Sequence, residues 1–279
     1  MTYSGEISRE KPSCFLFLID QSGSMDDPFA DGNLGKTKAD TVADILNRLL
    51  QNIAIKCAKE EGIRDYYHIG AIGYGKKVGS AFGGMFESRD LVPISELADN
   101  PVRIEERRVK FEDGAGGIVE RSVKFPVWVE STADGGTPMC KSLAYAKDIL
   151  TWWLQKYPDC FPPIVFNLTD GEATDGDPSG PAQELRNLAS SDGNVLLFNI
   201  HASSRNAEKI VFPGSDASLP DEYAKLLFEM SSLLPDNMQK NAYNEGIGVS
   251  SSSRGFAFNA DPVAIITCLD IGTRPVNLR

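Results

Sequence analysis

Nearly continuous apolar runs alternate along this chain with stretches whose apolar residues recur every three or four positions. "CFLFLID" (14–20) is apolar up to its final acid, the pattern of a strand covered on both faces. A polar loop, "QSGSMDDPFADGNLGK", follows it. In "TVADILNRLLQNIAIKCAKEEG" the residues Val42, Ile45, Leu46, Leu49, Leu50, Ile53 and Cys57 share one helical face, with Gly62 as a stop. "YYHIGAIGYG" (66–75) reads as a second strand. "MCKSLAYAKDILTWWLQKY" reads as a helix facing inward through Met139, Leu143, Ala146, Leu150 and Trp153, with Trp152 partly covered. "PPIVFNLTD" and "NVLLFNIHAS" repeat the buried-strand pattern. "PAQELRNLASS" reads as a helix with proline in its first turn, and "PDEYAKLLFEMSSLL" as one with acids at its positive end. "RGFAFNAD" and "PVAIITCLDIG" close the chain as a short strand and a helix.

Strand followed by helix, repeated, predicts an α/β fold: a doubly wound, mostly parallel sheet between helices, in a single domain over 1–279. Residues 76–130 break the rhythm. Val109 and Phe111, then Val123, Phe125, Val127 and Val129, alternate with polar residues around "EDGAGG". This predicts a β-hairpin insertion that extends an edge of the sheet, away from the strand ends that carry the acids; a docking arm is the alternative. Residues 235–255 lack periodicity and read as a mobile loop.

A net charge of −11 disfavours a nucleic-acid partner, because an acidic surface repels phosphate. No apolar run approaches the roughly 18 residues of a membrane span, and the polar N-terminus lacks the order of a secretory signal. The five cysteines are scattered and form no CxxC pair, so they read as buried thiols of a cytoplasmic protein rather than a disulfide framework or zinc site.

The chemistry concentrates where strands end. In a parallel α/β sheet, ligands gather beyond the carboxyl ends of the strands. Asp20 and Asp170 both stand at such ends. Ser22 and Ser24 follow Asp20 at alternate positions, so in an extended loop they face the same way. "DGGTPM" (134–139) adds Thr137 at another strand-to-helix junction. Asp20, Ser22, Ser24, Thr137 and Asp170 offer hard oxygen donors only, a set suited to Mg²⁺ or Mn²⁺ with waters completing the shell.

"DQSGSM", "GGTPM" and "LTDGEATD" resemble the three loops of a von Willebrand factor A (vWA) domain, whose metal-ion-dependent adhesion site (MIDAS) has the pattern D-x-S-x-S, then T, then D. The cytoplasmic bacterial members related to tellurium-resistance proteins look most similar. The resemblance implies a six-stranded, mostly parallel sheet and a bound Mg²⁺, Mn²⁺ or Ca²⁺. It implies that Ser22, Ser24 and Thr137 ligate through hydroxyls, and Asp20 and Asp170 directly or through water. It further implies a protein partner that supplies a Glu or Asp carboxylate to the ion. Asp26 and Asp27 stand six and seven positions after Asp20, one short of the register of a second metal site in integrin relatives, so that site is not expected.

Enzymatic readings are weaker. A strand-end Asp serves as nucleophile in D-x-D phosphatases, but here the acid/base position is Ser22. A Mg²⁺-dependent hydrolase using Asp20 and a scaffold stiffened by a structural ion remain as alternatives to a binding module. Asp175 and Asp177 read as loop and cap residues, His68 as packing, and His201 as a structural histidine near the site.

Overall fold

The first apolar run forms β1 (Ser13–Asp20), and its two faces feed two separate cores. Phe15, Phe17 and Ile19 pack on one side; Cys14, Leu16 and Leu18 pack on the other. The computed structural model describes residues 3–28, 35–112, 118–202 and 208–274. After β1 come α1 (Lys38–Cys57), the short strands β2 (Ala58–Lys59) and β3 (Gly62–Ile63), then β4 (Tyr67–Tyr74), β5 (Val78–Ser80) and β6 (Val92–Pro93). The chain continues through α2 (Ile94–Asp99), β7 (Arg103–Glu112), β8 (Ile118–Val127), α3 (Met139–Lys156), β9 (Ile164–Thr169) and α4 (Ser179–Arg186). It ends with β10 (Leu196–Ala202), β11 (Ile210–Val211), α5 (Glu222–Met230), α6 (Asp236–Asn244), β12 (Phe256–Ala260) and α7 (Pro262–Thr273).

The strands β12, β10, β9, β1 and β4 run parallel in that order, flanked by antiparallel β11 at one edge and by β5 and β6 beside β4. Among the described residues the sheet therefore has eight strands rather than six. One face carries α1 and α7 through residues such as Leu46, Leu50, Ile265 and Leu269. The other carries α3, α4 and α5 through Leu143, Trp153, Leu185 and Leu227. Each fully buried side chain of this size stabilises the fold by roughly 1.5–3 kcal/mol. Trp153 is fully buried and Trp152 largely exposed, as the helical periodicity requires.

Helix ends follow local chemistry. The Thr37 hydroxyl accepts from Asp40 N at 3.1 Å while the Asp40 carboxylate accepts from Thr37 N at 3.1 Å, a capping box that starts α1. The helix stops at Cys57, before the expected Gly62, because the chain turns back through the β2–β3 hairpin; Gly62 serves that turn with φ +119°. Asp221 and Asp261 cap α5 and α7, accepting from Ala224 N and Ala264 N at 2.8 and 2.7 Å.

Two further expectations are corrected. Residues 236–244, read as loop, form α6; only Met238 and Ala242 of this helix are buried, too few to produce an apolar period. The insertion does form a hairpin, β7 with β8, but as a two-stranded sheet of its own rather than an extension of the main sheet. Its turn, beyond Glu112 in "EDGAGG", lies outside the described residues.

The hairpin is held against α1. The buried Asn47 side chain donates to Val129 O at 2.8 Å and accepts from Trp128 N at 2.9 Å and Val129 N at 3.0 Å. Arg107 covers the Phe125 ring at 3.5 Å and pairs with Asp44 at 2.8 Å. Asn47→Leu leaves three buried backbone groups unsatisfied, so we expect it to destabilise the protein by about 2–4 kcal/mol. A urea-denaturation loss below about 1 kcal/mol would show that the hairpin is anchored elsewhere.

His68 on β4 packs edge-on against Trp153 with ring centroids 4.6 Å apart and lies 5.9 Å from Tyr157. Burial disfavours its charged form and lowers its pKa to about 4, against a smaller raising effect of Asp65. A depressed folded-state pKa means that unfolding takes up a proton. His68 therefore contributes full stability above the ordinary value of about 6.5 and loses it as pH falls toward 4. His68→Phe should flatten the decline in unfolding free energy between pH 7 and 4.5. Parallel pH profiles for the two proteins would refute this assignment.

Candidate metal centre

The site lies where neighbouring strands part company. From β1 the chain leaves for β4 on one side, and from β9 it leaves for β10 on the other, which opens a crevice at the carboxyl ends of β1 and β9. The pairing places Ile19 opposite Leu168, so Asp20 lies beside Thr169 and just before Asp170 at the same rim.

Asp20 is 1% exposed. One carboxylate oxygen accepts from Ser22 N at 2.9 Å and the other from the Thr169 hydroxyl at 2.8 Å. Burial pushes the carboxyl up to about 6; the Ser22 and Thr169 hydrogen bonds oppose the rise and the Asp170 charge adds to it. Among the described residues no lysine, arginine or histidine forms an ion pair with Asp20. The Ser22 and Ser24 hydroxyls are 3.0 Å apart, and Ser24 donates to Asp170 Oδ1 at 2.7 Å. Thr137 is buried, and a Cβ built on Gly171 would stand 3.9 Å from Thr137 Oγ1 and 4.0 Å from Ser24 Oγ. The structure thus gathers all five expected side chains at one rim.

Three loops hold this arrangement through backbone contacts. Gly23 N donates to Gly135 O at 3.0 Å, Asp134 N to Gln21 O at 2.7 Å, and Lys76 N to Asp134 O at 2.8 Å. Thr137 N donates to the Thr174 hydroxyl at 2.9 Å, and Thr174 N returns a bond to Thr137 O at 2.9 Å. Gly135 adopts φ +97°, and a Cβ there would overlap the Lys76 backbone nitrogen.

Asp175 and Asp177 act as caps. Asp175 accepts from Cys140 N and Lys141 N at 3.0 Å each, and Asp177 from Ser179 N at 2.9 Å. His201 stacks on Phe258 with centroids 4.7 Å apart and lines a cleft of about 360 Å³ beside Ser24 and Asp170, together with Glu172, Asp221 and Tyr223.

Lys38 joins the site from outside the five expected positions. It is the only buried lysine or arginine among the described residues. Its ammonium donates to Asp170 Oδ2 at 2.8 Å and to Ser24 O at 3.3 Å, and lies 3.6 Å from the exposed Asp27. The capping-box spelling "TKAD" places Lys38 at the first position of α1, where the helix dipole disfavours a cation, and that mismatch is the available sequence signal. Sequence reasoning also misses Thr169, Thr174 and Tyr223, which bonds Gly171 O; hydroxyls in such positions carry no distinctive spacing.

The donor set fits a hard divalent cation. Its oxygens come from two carboxylates and three hydroxyls, and Asp20 is a buried carboxylate without a positive partner. No cluster of three or more His, Cys, Asp or Glu is placed to hold a metal among the described residues.

No protein-family model matches the chain, and no curated protein matches it. Solved structures give matches at low similarity. The ArnB paralog VWA2 from Sulfolobus acidocaldarius is 15% identical with TM-score 0.37, over 82% of this chain and 43% of that one. The vWF domain of the type V pili tip protein Mfa5 from Porphyromonas gingivalis is 15% identical with TM-score 0.33, over 84% and 50%. The pilus adhesin RrgA from Streptococcus pneumoniae is 16% identical with TM-score 0.30, over 58% and 21%. This chain spans half or less of each of these proteins. No helix of the described residues is long and apolar enough to cross a membrane.

The loop clamp is testable through Gly135→Ala. Forcing a Cβ into the Lys76 backbone at positive φ should destabilise the protein by about 1–3 kcal/mol. Unchanged thermal unfolding would show that the "GGTPM" loop is not fixed as described.

Proposed function

We propose that this chain is a vWA-type binding module whose MIDAS-like rim holds one divalent cation, Mg²⁺, Mn²⁺ or Ca²⁺, and through it a carboxylate of a partner protein. The observation that carries this reading is the Asp20 carboxylate, buried without a cation at the head of a hydroxyl cluster. Ser22, Ser24 and Thr137 would hold the ion through their hydroxyls, and Asp20 and Asp170 directly or through water; the ion would supply an electrophilic anchor for an oxygen ligand. The three hydroxyls add no compensating charge and an acid that binds through water neutralises the ion only partly, so an external carboxylate would complete the site better than water does. The cleft beside Ser24 and Asp170 gives such a group a way in.

The module is proposed as non-catalytic. Both Asp20 oxygens are engaged by donors, and Ser22 occupies the position where a D-x-D phosphatase places its acid/base. Five unpaired thiols fit a reducing cytoplasm, where the resemblance also places its bacterial tellurium-related members.

Calorimetry on chelator-stripped protein should show one Mg²⁺ site, absent in Asp20→Ala. Thr137→Ala should keep metal binding within a few-fold, since water replaces a neutral hydroxyl. Proteins retained from lysate in Mg²⁺ should be released by EDTA, and phosphatase activity should stay absent with and without Mg²⁺. No divalent-cation binding at millimolar concentration would refute the reading. Mg²⁺-dependent phosphatase activity lost in Asp20→Ala would replace it with the hydrolase.

A further inference from the structure

We propose that Lys38 is a resident counter-cation that holds Asp170 out of direct metal ligation, so that the rim presents to an ion one carboxylate without an ion pair instead of two. This deepens the metal-binding reading and rests on it. The geometry is specific. Both Asp170 oxygens are occupied, Oδ1 by the Ser24 hydroxyl at 2.7 Å and Oδ2 by the Lys38 ammonium at 2.8 Å. The side chains of Lys38 and Asp170 are only 7% and 1% exposed, so solvent screens the pair little. A second oxygen on the ammonium, the Ser24 carbonyl, fixes it from the side at 3.3 Å. Asp20, at the same rim, has hydrogen-bond donors and no ion pair.

The helix position strengthens the inference. A lysine at the first residue of a helix opposes the dipole and loses side-chain entropy on burial, so local propensity does not explain it. The residue breaks a local rule beside a candidate site, which is where such departures carry function. A dication drawn to Asp20 meets a neutralised Asp170, and taking Asp170 as a direct ligand would require breaking the pair with Lys38. The ion's excess charge is then left for a ligand from outside. Lys38 thereby trades affinity for the ion against affinity for the partner's acid.

The test is a double-substitution cycle read by Mg²⁺ calorimetry and by the Mg²⁺-induced rise in melting temperature. Lys38→Met frees Asp170 and should tighten Mg²⁺ binding about ten-fold or more, with a lower melting temperature in EDTA and a larger rise on adding Mg²⁺. Lys38→Gln, which keeps a donor to Oδ2, serves where Lys38→Met does not fold and should shift affinity in the same direction. Lys38→Arg keeps the charge and should stay near the wild type. Asp170→Asn alone leaves the buried Lys38 cation unpaired at the rim and should weaken Mg²⁺ binding about ten-fold or more, whereas combined with Lys38→Met it should erase the gain and return affinity to within about three-fold of the wild type. Unchanged or weaker binding in folded Lys38→Met and Lys38→Gln overturns the proposal while leaving the metal reading intact. A gain that survives in the double variant also overturns it, because the effect would then be general repulsion rather than release of Asp170. No Mg²⁺ binding by the wild type or any variant overturns the metal reading itself.

Discussion

The site depends on a carboxylate that the fold removes from water without giving it a positive charge. Asp20 closes a strand buried along its whole length, and desolvation is the dominant influence on its ionisation. Ionised carboxylates in such places need donors or cations. Asp20 receives donors from its own loop and from the neighbouring strand, through Ser22 N and Thr169 Oγ1. Asp170, a strand away, receives a full cation from α1. The two acids of the rim are thus solved differently, and the difference gives the site its polarity: one carboxylate held by neutral donors, one paired with a cation.

Below the rim, polar groups recur inside the apolar core in a connected line. The Tyr74 hydroxyl donates to Asn167 at 2.7 Å, Asn167 donates to Asn199 at 3.0 Å, and Asn199 donates to Ser231 Oγ at 3.0 Å and Leu227 O at 3.2 Å. All four side chains are buried. The line joins β4, β9 and β10 to the end of α5, passing the outer neighbours of β1. A buried network in which members are paired fixes relative position more sharply than apolar contact does, because a displaced strand would leave buried donors unmet. The strand ends that carry Asp20 and Asp170 are therefore set on a floor with few alternative registers, and the backbone clamps among Gln21, Gly135 and Lys76 hold the loops above it.

Much of this is legible in the sequence. The buried strands announce themselves as continuous apolar runs and the long helices as a 3.6-residue period, and those patterns alone assign the five side chains to strand ends and strand-to-helix junctions. What is not legible is instructive. The β7–β8 hairpin is visible in its alternation, but alternation says which face is covered and not by what; Asn47 and Asp44 on α1 supply that answer. Helix α6 buries two residues and has no apolar stripe to read; its position comes from tertiary packing. Lys38 leaves one trace in the sequence, a cation at the first position of a capped helix, and that trace does not say where its side chain goes. Only the capping box beside it fixes its place in the helix, and only the fold shows that Asp170 lies within reach.

Helix α1 joins these features physically. It carries Lys38 into the rim at its first residue and Asn47 into the hairpin base nine residues later, about 13 Å along its axis at 1.5 Å per residue. Its inward face is packed on the sheet through Val42, Leu46, Leu50 and Ile53, which leaves little freedom to slide. A helix so fixed cannot adjust its first turn independently of its third. The reach of Lys38 to Asp170 is therefore set by the seating of the whole helix, and the hairpin contacts at Asp44 and Asn47 belong to that seating. An insertion remote from the strand ends in sequence terms is, through this one rod, part of what positions the charge at the site.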